Sequence, residues 1–69
     1  MRYSAHALEK MDAYGIKRDE IDKVIKVGMK WRENNSNKWH AKMAGIECVF
    51  IKEENDLFVI TVYLNGGEK

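Results

Sequence analysis

Cysteine is almost missing from this chain: Cys48 stands alone, so no internal disulfide forms and the fold must be held by packing. Its alternating apolar setting, I-E-C-V-F-I, predicts a buried strand thiol, since a nucleophilic cysteine needs exposure and a cationic partner. Metal-ligand spacing is missing as well. The two histidines lie far apart and one cysteine completes no zinc set, so no metal and no cofactor is expected. Long apolar runs are also lacking. The longest, Leu57 to Val62, contains a threonine and falls far short of the roughly 18 residues that suggest a membrane span. The first residues, M-R-Y-S-A-H, show no basic segment leading into an apolar stretch, so a cytoplasmic protein away from membranes is expected. No internal repeat or low-complexity segment is visible.

Sixty-nine residues suffice for one domain, residues 1–69, near the lower end of what an unaided hydrophobic core sustains. Hydrophobic content of 45% with 33% charged residues excludes disorder and points to a globular fold. Net charge is only +1, but it is unevenly spread. Residues 17–42 carry eight basic groups against four acidic, and residues 43–69 carry two against five. A basic excess on the second helix and first strand suits a polyanion; its plainer reading is a solvated helix face.

Ser4 is a preferred helix N-cap, and A-H-A-L-E-K-M that follows is rich in helix formers, predicting a helix over residues 5–14. At about 100° per residue, Ala7, Leu8, Met11 and Tyr14 share one side, with His6 and Lys10 on its border. Gly15 fits a left-handed C-terminal position. A second helix, residues 18–27, has Asp19 and Glu20 in its first turn and Ile21, Val24 and Ile25 at helical spacing, with Gly28 at its end. M-K-W-R begins a strand or an extended link, and E-N-N-S-N marks a loop. Strands are expected at about 38–44, 46–52 and 57–64, joined near Ala44-Gly45 and across E-E-N-D. The predicted fold is therefore α+β: two N-terminal helices on an antiparallel meander sheet of three to four strands, with Leu8, Met11, Ile21, Val24 and Ile25 in the interface. V-F-I and L-F-V-I-T-V-Y-L are apolar in both registers, which predicts strands covered on two faces or packed against a partner.

The stretch S-A-H-A-L-E-K-M-D-A-Y-G-I, with the distant V-I-T-V-Y, resembles a small family classed as a domain of unknown function. Its pattern runs S-x-H-A-x-x-R-M-x-x-R-G-I-S-x-x-x-V and closes in a sheet ending V-I-T-V-Y. Ser4, His6, Ala7, Met11, Gly15, Ile16 and Val59 to Tyr63 fit, whereas Lys10 and Tyr14 stand where arginines are expected and Lys17 replaces the serine. Lysine keeps the charge but loses the bidentate fork that suits phosphate, and tyrosine loses both. In its two-helix, antiparallel-sheet layout the family is similar to the RelE-like and colicin-like ribonuclease toxins. That resemblance implies activity on RNA and an antitoxin-like protein partner.

Metal-free RNA cleavage needs a base for the ribose 2′-hydroxyl, an acid for the leaving oxygen and cations for the charged phosphorane. His6, Lys10, His40 and Thr61 are the candidates for these roles, and Lys10, Lys42 and Tyr63 for RNA contact. Strand alternation puts His40 and Lys42 on one face. Each has a plainer alternative. His6 fits better a helix-locking hydrogen bond to the sheet, His40 a surface strand position, and Thr61 also a plain β-branched strand residue. Trp31 and Trp39 suit base stacking or core packing. The expected function is an RNA-binding or ribonuclease-like toxin domain that works without a metal. The alternative is a non-catalytic protein-interaction module or a homodimer paired through its apolar last strand.

Overall fold

The computed structural model describes residues 1–64. In chain order the elements are β1 (Arg2–Tyr3), α1 (Ala5–Tyr14), α2 (Arg18–Val27), β2 (Met29–Arg32), β3 (Lys38–Met43), β4 (Ile46–Glu53) and β5 (Asp56–Leu64). The strands form one sheet in the order β1-β5-β4-β3-β2. β1 runs parallel to β5, and every other neighbouring pair is antiparallel. The sheet is thus five-stranded and mixed, where the sequence predicted three to four antiparallel strands. Two residues cannot display a period, so β1 left no signal, and M-K-W-R is exposed at all four positions and shows no alternation of burial.

Both helices form where the sequence places them. The Ser4 hydroxyl accepts the Ala7 amide at 2.9 Å, satisfying one of the orphan donors of α1. At the other end Gly15 takes φ 71°, and its N–H and that of Ile16 bond back to Asp12 and Met11, a Schellman closure. α2 is opened by the Glu20 carboxylate accepting the Lys17 amide at 2.8 Å. Its end at Gly28 is set by space: φ is an ordinary −70°, but an added Cβ would lie 2.5 Å from the Val24 carbonyl oxygen and 2.7 Å from that of Lys42.

One core joins the helices to one face of the sheet: Ala7 and Met11 from α1, Ile16 from the turn, Ile21, Val24 and Ile25 from α2, and Ala41, Ile46, Cys48, Phe50, Val59 and Val62 from the strands. Leu8, expected in this interface, is 40% exposed. The buried stripe of α1 is only Ala7 and Met11, one turn apart, because a buried alanine lets the helix lie close to β5 and Ile16 fills the end. Leu8 then falls outside the contact.

β5 explains its own double apolarity. Opposite Val49 sits Thr61, but opposite Phe50 sits Val59, so Ile60 is an extra residue in a β-bulge. Alternation shifts by one there, and Val59 and Val62, three apart, both reach the same core. Only one face is therefore helix-covered, in place of the two that the run of apolar residues suggested. The Ser4 hydroxyl donates to the Ile60 carbonyl at 2.5 Å, so the residue that caps α1 also satisfies the bulge. Arg2 locks the same edge, bonding Glu53 at 2.7 Å and lying 4.6 Å from the centre of the Phe58 ring. Between β3 and β4, Ala44 and Gly45 take φ 53° and 80°, the positive pair that a two-residue hairpin requires.

Candidate functional site

The sheet divides the sequence-derived candidates. His6 and Lys10 ride on α1, on the helix side. His6 is exposed, with no side-chain hydrogen bond among the described residues, so it does not lock the helix to the sheet. Lys10 is half-buried; its ammonium bonds the Tyr14 hydroxyl at 3.3 Å and lies over that ring. His40, Lys42, Thr61 and Tyr63 belong by alternation to the opposite face, since Ala41, Cys48 and Val62 between them enter the core. A constellation of His6 and Lys10 with His40 and Thr61 would have to cross the sheet, and the two groups do not converge.

His40 is the best-defined polar centre. Its Nδ1 lies 2.8 Å from a Glu47 carboxylate oxygen and its Nε2 2.7 Å from one of Glu33. Both nitrogens can donate at once only in the imidazolium form. Burial works against that charge, but the hydrogen bonds and negative charges of Glu33 and Glu47 outweigh it and raise the His40 pKa above its ordinary value. A histidine with both N–H groups taken by carboxylates is a poor general base. It is well suited to hold β2, β3 and β4 in register.

The clamp also fixes an aromatic pair. Trp31 faces His40 across the β2–β3 ladder, and the two rings stack 5.1 Å apart at 8°. Trp31 is still 39% exposed. Trp39, by contrast, packs against the core with the Lys52 ammonium 4.1 Å from its ring centre. Trp39 is therefore a packing residue, and Trp31 is a partly exposed ring on the edge strand.

Thr61 is only 7% exposed, and its hydroxyl has no hydrogen-bond partner among the described residues. It lies against Val49 in the sheet, while Tyr63, paired with Glu47, is exposed. Lys42 is exposed opposite Glu47 and Met29. Cys48 is free and buried, with its pKa pushed up to about 12 by burial and, secondarily, the Glu47 charge. Among the described residues no group of three or more His, Cys, Asp or Glu side chains could hold a metal. No helix there is long and apolar enough to cross a membrane.

Sequence reasoning missed Glu33 and Glu47. Their signal is spacing: each lies seven residues from His40, one on either side. With a hairpin on both flanks of β3, such positions fold back beside it.

No curated protein and no solved structure matches the chain. A family model matches residues 3–64, almost everything the structure describes, and the chain belongs to that family, DUF4258, a domain of unknown function.

Proposed function

We propose that this protein is an RNA-binding domain whose contact surface is the β2–β3 hairpin. One observation carries the reading: residues 29–43 hold four basic side chains, Lys30, Arg32, Lys38 and Lys42, against one acidic, Glu33. Glu33 is already committed to His40. Arg32, Lys38 and Lys42 have no ion-pair or side-chain hydrogen-bond partner among the described residues, so their charge is available to phosphate. The resemblance to RelE-like toxins supports the same substrate class. Binding is favoured over cleavage, because His40 is clamped and His6 lies on the other side of the sheet from it.

The test is RNA affinity of the purified chain across a salt series. Replacing Arg32, Lys38 and Lys42 with alanine should weaken binding and flatten the dependence of log K on log salt by about 0.7 to 0.9 for each phosphate no longer neutralised. Absence of affinity at low salt refutes the reading. A ribonuclease extension rests on His6 and Lys10 alone, and it requires RNA cleavage that His6→Ala abolishes while the melting temperature stays put.

The alternative, a protein-interaction or homodimeric module, is favoured by one feature. β2 is the last strand of the sheet, and among the described residues its outer edge has no strand beside it. On β5, the strand expected to self-pair, β1 covers only Phe58 and Val59, so the rest of its outer edge also has no strand beside it among the described residues. Mass in solution tests this reading.

A further inference from the structure

The Trp31–His40 pair has an unfilled side. The rings belong to directly opposed residues on neighbouring strands and lie nearly parallel, so they stand beside each other as successive members of a stack. His40 is held from both flanks, by Glu47 of β4 on the inboard side and by Glu33, the residue that follows β2, on the other. On the outboard side β2 ends the sheet, and among the described residues no strand covers Trp31. We propose that the outer face of Trp31 is a stacking site for one unpaired base of single-stranded RNA, the third ring in a line of base, Trp31 and His40.

This rests on the RNA-binding reading and specifies the nucleic acid and the site. Every base has a π-face, so such a platform takes a single strand with little sequence preference, whereas a duplex keeps its bases inside its own stack. The clamp makes the platform efficient. An indole already stacked on an imidazole ring held by two carboxylates loses little further freedom when a base arrives.

Charge agrees with this division of labour. Lys38 and Lys42 lie two residues to either side of His40 on the face that carries Trp31, each paired across a strand with an acid, Glu33 or Glu47, that is turned to His40, whereas Arg32, opposed to Trp39, belongs to the other face of the same edge. The uncharged base meets the ring and the phosphates meet the flanking cations. Trp31 is thus a binding residue, and His40, Glu33 and Glu47 are positioning residues acting through it.

The experiment uses the whole chain with Trp39→Phe, which leaves Trp31 as the only tryptophan, since the chain has two. It is titrated with an unstructured eight-nucleotide RNA at low salt, reading tryptophan fluorescence and the anisotropy of a labelled copy. The expected result is saturable quenching that tracks the anisotropy, with Trp31→Ala weakening binding by roughly 5- to 150-fold, the range of one stacked base, and Trp31→Phe retaining most of the affinity. His40→Gln should reduce quenching per bound RNA, which a merely folded-state role would not. If the RNA binds without quenching and equally well to Trp31→Ala, the stacking site is refuted and the RNA reading survives. If no RNA binds, both fall. If Trp31 emission changes with protein concentration instead, the edge pairs with a second copy and the proposal is overturned.

Discussion

On the helix-covered face of the sheet, Phe50, Val59 and Val62 are sealed beneath α1 and α2, and Trp39 leans on the same cluster. On the other face, Val49 and Thr61 are nearly as inaccessible, yet they share the surface with a Glu33–His40–Glu47 cluster and an exposed Trp31. Low exposure therefore means two things in this molecule. Under the helices it reports close packing between layers; Val49 and Thr61 reach it on the face that α1 and α2 do not cover. Stability should be concentrated in the first, and the RNA contact proposed above in the second, where Trp31 and the lysines of β3 are exposed.

The sharpest way to break the comparison is to hollow out each face. Phe50→Ala should cost about 3 to 5 kcal/mol, enough to unfold a domain of this size at modest temperature. Val49→Ala, on the open face, should cost clearly less, as read by urea denaturation. Equal losses would show that the open face carries as much stability as the core. Ser4→Ala comes next, at about 1 to 2 kcal/mol, since it removes both the cap of α1 and the donor to the Ile60 carbonyl.

A smaller effect comes from pH. The His40 pKa is raised in the folded chain, so its contribution is fully present below the unfolded value of about 6.5 and is lost as pH rises through the folded value. Stability of the native chain minus that of His40→Gln should fall across that window, and a flat difference would mean that the clamp does not form in solution. Smallest of all is Leu8→Ala, whose side chain is largely outside the core; it should shift stability by no more than about 0.5 kcal/mol.

The helices were legible because their signals are local: Ser4, Gly15 and the spacing of Ile21, Val24 and Ile25 each act within a few residues. The β3–β4–β5 meander was legible for the same reason, through short turns and apolar runs. β1 was not, since two residues reveal no period and their partners, Phe58 and Val59, are remote in sequence. The bulge at Ile60 hid in plain view, because an apolar residue in every position conceals a change of phase. For the candidate site, residue types were readable but convergence was not. His40 and Lys42 share a face as alternation required, while His6 was assigned to their company with no means of seeing that a sheet lies between them.

The contact from Ser4 to Ile60 spans 56 positions of the chain. A separation this long predicts an order for folding. The β3–β4 and β4–β5 hairpins close over short loops and can form early, whereas β1 and the start of α1 find their partners only after the longest loop in the molecule has closed. Changes at Ser4 should then act mainly on the rate of unfolding and leave the rate of folding nearly untouched. An unfolding rate that rises in Ser4→Ala with an unchanged folding rate would mark the first strand as a latch on a structure assembled from its other end.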